Sequence, residues 1–142
     1  MELSTFGSIM DFAEKIEIQT ETFYNQAAAH PACADQADLF AGLAKIAVKN
    51  IKEAQRTRRE NVMEMVLEGV SNFASDSYEI ESLVNPDDSL EAVVTKAKAV
   101  EVRAQNYYQD AADKLTALPE VARNLKQLYK KHTKNLASLE NI

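Results

Sequence analysis

Residues 9–28, IMDFAEKIEIQTETFYNQAA, and residues 90–112, LEAVVTKAKAVEVRAQNYYQDAA, decide the fold. In the first, Met10, Ala13, Glu17, Thr20, Tyr24 and Ala27 recur at intervals of three and four, the period of one helix face. The second repeats the pattern 84 residues on: Ala13 aligns with Ala97, Glu17 with Glu101, Tyr24 with Tyr108, and Ala27-Ala28 with Ala111-Ala112. Both stretches predict a helix with one inward stripe, and both place a glutamate in the middle of it.

Two more stripes lie outward from these: Phe40, Leu43, Ala47, Asn50, Ala54, and Leu125, Leu128, His132, Asn135, Leu139, Ile142. With one extra residue of offset, Leu43 aligns with Leu128, Lys45 with Lys130, and Lys49-Asn50 with Lys134-Asn135, so the chain reads as a duplicated helical hairpin. Phe6 extends the first stripe; Leu90, Val94, Ala104 and Leu115 complete the third. Helices are expected near 4–29, 35–68, 88–116 and 119–141. Ser4 is the expected N-cap of the first and His30-Pro31 its stop. Asp88, with Glu91 three residues on, is the expected N-cap of the third, and Pro119 fits the first turn of the fourth.

The links at 29–34 and 116–119 are short, which predicts two antiparallel hairpins; residues 70–87 form the single long link between them. Phe73, Tyr78, Ile80 and Leu83 should pack that link onto the bundle. Met63, Met65, Val66 and Leu67 are expected to cover the link or to form a dimer surface. The expected fold is all-α: a single domain over 1–142, a four-helix bundle with one long crossover, which is the ferritin-like arrangement.

Composition agrees. Three glycines and three prolines among 142 residues cannot supply the turns of an all-β domain, whereas 21 alanines favour helix. A formal charge of −6 gives no overall basic footprint, so nucleic acid is not an expected partner, and no membrane partner is expected either. Cys33 stands alone and can form no internal disulfide, which fits a reducing, cytoplasmic location. Charges spread through residues 2–17 interrupt any signal-peptide core, and no run of 18 uncharged apolar residues exists to span a membrane.

Glu17, Asn50, Glu101, His132 and Asn135 occupy stripe positions that a core would fill with apolar side chains. At about 1.5 Å of rise per residue, all five fall at one height, some 17 Å from the hairpin turns. Facing carboxylates in a core need neutralising. A metal with His132 as a further ligand, a proton on one carboxyl group, or hydrogen bonds from amides, histidine, tyrosines and water would each serve. Tyr24 and Tyr108 lie two turns beyond the glutamates, and helical side chains lean toward the N-terminus, so their hydroxyls are expected in the same layer.

With LFAGLAKIAVKNIKEA at 39–54 and LKQLYKKHTKNLASL at 125–139, these segments resemble the rubrerythrin-type branch of the ferritin-like superfamily over most of the chain outside the crossover. The resemblance implies a ligand Glu in helices 1 and 3, each with a following Tyr, and a Glu-x-x-His pair in helices 2 and 4, together binding a di-iron centre that reacts with peroxide or oxygen. Glu17, Glu101, Tyr24 and Tyr108 match. Ala47 and Asn50 stand in place of the helix 2 pair, and His132 and Asn135 in place of the helix 4 pair. No Cys-x-x-Cys pairs accompany them, so the rubredoxin-like module of full rubrerythrins is not expected here.

The resemblance therefore implies a ferritin-fold protein without its di-iron centre: a non-catalytic binding or structural protein, without a cofactor, forming a homodimer or other homo-oligomer. The alternative is one iron, manganese or zinc ion on Glu17, Glu101 and His132, supporting oxidoreductase chemistry on peroxide or oxygen. In either case Asn50, Asn135, Tyr24 and Tyr108 support the three ionisable groups. His30 and Cys33 are expected to be structural, and the lysines and arginines of helices 2 and 4 to be solvated.

Overall fold

The computed structural model describes residues 1–61, 70, 72–80 and 83–142. Among these, four α-helices carry the architecture: α1 (Phe6–Ala29), α2 (Ala37–Glu60), α3 (Leu90–Lys114) and α4 (Pro119–Glu140). The only extended pairing among the described residues is an isolated bridge between Glu2 and Ala74.

Local chemistry sets the helix ends. Thr5, not Ser4, caps α1: its hydroxyl accepts from the Ser8 amide while Ser8 Oγ accepts from the Thr5 amide, a reciprocal capping box. His30 stops α1 and then serves the next element, its Nδ1 accepting from the Ala32 amide. Residues Pro31–Gln36 form a 3₁₀ turn, so α2 starts at Ala37 instead of residue 35. Ser89, one residue beyond the expected Asp88, caps α3 through the Ala92 amide. Asp88 instead accepts from the Asn85 amide and from Lys96. Pro119 opens α4, where its missing N–H costs nothing. The expected extension of helix 2 to residue 68, with Met63, Met65, Val66 and Leu67, lies outside the described residues.

α1 packs chiefly on α2 and α3 chiefly on α4, with lighter contacts joining α1 to α3 and α2 to α4. Bonds from Asn50 to Glu17, from Gln55 to Glu14 and from Arg58 to Asp11 step along α1 and α2 in opposite directions, so these two helices are antiparallel. The stripes form the core. Every predicted stripe residue of α1 and α2 is buried. In α3 the buried side also takes in Val93, Val100 and Tyr107, while Leu90 and Val94 are half-buried; Ile142, beyond α4, is exposed. Full burial of side chains such as Ile16, Phe23 and Leu125 contributes about 1.5–3 kcal/mol each, which offsets the cost of the polar layer between two apolar clusters.

The crossover docks through Phe73 and Tyr78, which pack with Tyr107 of α3; Leu83, expected to join them, is 61% exposed. Tyr78 Oη donates to Asp110 at 2.5 Å, and its carbonyl accepts from Arg103 at 3.2 Å, so two α3 side chains grip one crossover residue. No helix among the described residues is long and apolar enough to cross a membrane.

Candidate functional site

Each helix contributes at mid-height: Glu17 and Tyr24 from α1, Asn50 from α2, Glu101 and Tyr108 from α3, His132 and Asn135 from α4. All seven are at most 3% exposed. Apolar side chains close the bundle above and below them, so their polar atoms depend on partners inside the bundle.

His132 lies between the glutamates. Its Nδ1 is 2.6 Å from Glu101 Oε1 and its Nε2 is 2.7 Å from Glu17 Oε2. Tyr24 donates to Glu101 Oε2 and Tyr108 to Glu17 Oε2, both at 2.5 Å. Asn50 Nδ2 donates to Glu17 Oε1 and Asn135 Nδ2 to Glu101 Oε1, both at 3.2 Å. Each carboxylate thus receives one phenol, one amide and one ring nitrogen. The sequence duplication is visible in these bonds as a pseudo-two-fold arrangement, broken at His132, whose repeat equivalent is Ala47.

Charge follows from these contacts. Burial alone would drive the His132 proton off, but the adjoining Glu17 and Glu101 outweigh it and raise the pKa to about 10. Burial would likewise raise Glu17, yet His132, Tyr108 and Asn50 together leave it below the ordinary carboxylate range. Burial first, and then the neighbouring Glu101 and Glu17 respectively, hold the protons of Tyr24 and Tyr108 well above the usual phenol value. At neutral pH the centre is an imidazolium donating from both nitrogens, with two phenols that stay protonated. The Tyr108 ring also stacks on the imidazole, centroids 5.6 Å apart.

The five residues expected at one height are brought together, and the two tyrosine hydroxyls reach them. The tyrosines were expected to lean into the layer, and they do so crosswise: each serves the glutamate of the other hairpin. Arg103, two residues beyond Glu101 on α3, is not among the residues the stripes single out. It is 5% exposed, donates to Gln19 and to the Tyr78 carbonyl, and leaves Nε and Nη2 without a partner among the described residues. The offset of 84 also relates Gln19 to Arg103, so two repeat-equivalent positions bond to each other across the α1–α3 contact, a signal the duplication carries in the sequence. Asn50 Oδ1 is also buried without a partner among the described residues. His30 and Cys33 lie away from the layer, His30 as a cap and Cys33 buried in the 3₁₀ turn.

The donor set does not fit a two-metal centre. Ala47 offers no ligand atom, the Asn50 and Asn135 amides are already spent as donors to the carboxylates, and both imidazole nitrogens carry hydrogen bonds. Among the described residues, no group of three or more His, Cys, Asp or Glu side chains is arranged to hold a metal ion. Fold and site together define an all-α four-helix protein with a closed, hydrogen-bonded ionic layer at its centre. Comparison of the chain with family models, with curated proteins and with solved structures returns no match.

Proposed function

We propose that this chain is a ferritin-like scaffold of rubrerythrin type in which a protein-only ionic layer replaces the di-iron centre, and that it acts as a non-catalytic structural or binding component, homo-oligomeric and cytoplasmic. One observation carries the reading: His132 uses both ring nitrogens to bridge Glu17 and Glu101. A ligand imidazole must offer a lone pair to the metal, and a doubly donating imidazolium has none. The single long link and the repeated Glu–Tyr spacing support the ferritin-like part of the proposal. The one-metal alternative on Glu17, Glu101 and His132 would require the ring to lose a proton and turn from one carboxylate.

The test is metal content and peroxide turnover of protein purified after growth with added iron, manganese and zinc. The expected result is less than stoichiometric metal and no peroxide consumption above that of buffer. Stoichiometric metal, lost together with peroxide turnover on substitution of His132, would overturn the proposal.

A further inference from the structure

The net charge of −6 conceals a division between two sides of the bundle. α2 holds six basic residues against three acidic ones, and α4 holds five against two, His132 aside, so each helix is +3. The rest of the chain is therefore −12. α1 has four acidic residues and one basic, and residues 61–89 contain seven acidic residues and no basic one.

Spacing turns these counts into surfaces. Lys45, Lys49, Lys52, Arg56 and Arg59 recur at intervals of four and three along α2, opposite its buried stripe. Arg123, Lys126, Lys130 and Lys134 do the same along α4. All nine are exposed, and only Arg56 and Arg123 have a carboxylate partner among the described residues, each within its own helix. α2 and α4 are neighbours, so the two stripes border one side of the molecule. The crossover lies on the other side: its described side chains bond to α1, α3 and the N-terminal segment, with Asp76, Glu79 and Asp87 exposed. Two packed helix layers are roughly 20 Å across, more than two Debye lengths of about 8 Å at physiological salt, so the two sides act as separate surfaces.

The geometry points to the α2–α4 side as a docking surface for the acidic crossover side of a second copy of this chain. This deepens the homo-oligomeric scaffold reading and rests on it. The complementary carboxylates are on the chain itself. The α2–α4 stripes carry no exposed aromatic residue on which bases could stack, and Val48, 37% exposed, is the only large apolar residue of α2 or α4 exposed among the described residues, too little to anchor a lipid surface. Because the two surfaces lie on opposite sides, the contact is head-to-tail and does not close as a two-fold dimer; it extends with concentration. Resting on exposed charges, it weakens as salt rises.

Sedimentation of the full chain over a range of concentrations, at about 0.1 M and about 1 M salt (Debye lengths of about 10 Å and 3 Å), tests this. At the lower salt the average mass should climb with concentration to twice the monomer mass and beyond, and at the higher salt it should return to monomer. A Lys49→Glu, Lys130→Glu variant and a Glu79→Lys, Asp87→Lys variant, each checked for helix content, should both stay monomeric alone. Mixed, they should associate again, because each restores the charge its partner lacks. Wild type that stays monomeric at the lower salt, variants that associate as wild type does, or a mixture that stays monomeric would each overturn the inference. Monomeric wild type retained on heparin, with retention lost in the Lys→Glu variant, would assign the surface to a foreign polyanion instead. Metal content and peroxide turnover report separately on the scaffold reading.

Discussion

Tyr24 donates across the bundle to Glu101 at 2.5 Å, and 84 residues later Tyr108 returns the contact to Glu17 at the same distance. Each phenol therefore ties the two hairpins together, where a bond to the glutamate of its own helix would have tied nothing. The site is at once the polar centre of the molecule and the clasp between its halves.

Equivalent bonds should cost equivalent amounts to break. Tyr24→Phe and Tyr108→Phe each remove a donor from a buried charged acceptor, with an expected loss of about 1.5–3 kcal/mol. Urea denaturation should give the same loss for both within error. Clearly unequal losses would show that the pseudo-symmetry is geometric only.

Stability should depend on pH through His132. The pKa is raised from 6.5 to about 10, so above pH 6.5 the unfolded chain has released a proton that the folded chain retains. The contribution of His132 is complete below about pH 6.5 and disappears as pH rises to about 10. Glu17 acts in the opposite sense: its pKa lies below 4.5, so its contribution is present above that value and fades as acid protonates it. Between these limits the layer contributes fully. Unfolding free energies measured across this range should fall on the alkaline side, and His132→Gln should flatten that limb. A limb unchanged in His132→Gln would assign the alkaline loss to other groups.

The stripes made the core legible because a helical period fixes which residues share a face, and the height of each residue along its helix gave the polar layer. A stripe does not say which neighbour a side chain meets across the bundle, so the crossing of Tyr24 and Tyr108 was out of reach. Nor does it choose between adjacent capping residues: Asp88 and Ser89 both suit an N-cap, and Lys96 draws Asp88 away. Leu83 and Phe73 look equally apolar, but Phe73 finds Tyr78 and Tyr107 while Leu83 is left in solvent. Arg103 stayed hidden because a long basic side chain ordinarily extends its charge to water; here the Tyr78 carbonyl covers it.

Supplying ligand atoms should create metal dependence. Ala47→Glu, Asn50→His, His132→Glu and Asn135→His together would supply the two missing Glu-x-x-His pairs of the resembling family. The variant should melt at a higher temperature with added divalent iron or zinc than with chelator, since a ligand held only by the folded state stabilises it by about 2.7 kcal/mol at 100 times its Kd. Wild type should melt alike in both. A wild-type melt strongly lowered by chelator would contradict the proposal of a layer held by protein groups alone.

The layer should also resist piecemeal replacement. Glu17→Ala removes the acceptor of Asn50, Tyr108 and His132 together and should cost several kcal/mol, at about 1–3 kcal/mol for each stranded neutral donor and more for the imidazolium. Buried ionic groups can often be exchanged for apolar ones at no loss, which suggests Glu17→Leu, Glu101→Leu and His132→Leu as a neutral triple. The contacts argue otherwise, because that triple leaves the Tyr24 and Tyr108 hydroxyls and the Asn50 and Asn135 amides without their acceptors. It should remain destabilised by an amount comparable to the single substitution. Adding Tyr24→Phe, Tyr108→Phe, Asn50→Leu and Asn135→Leu removes the stranded donors as well, and stability should recover toward wild type or above it. Thermal and urea melts of the single, triple and sevenfold variants separate the cases: a triple as stable as wild type would mean that the four donors draw little from the carboxylates, and the layer would then be an ionic triad with independent neighbours.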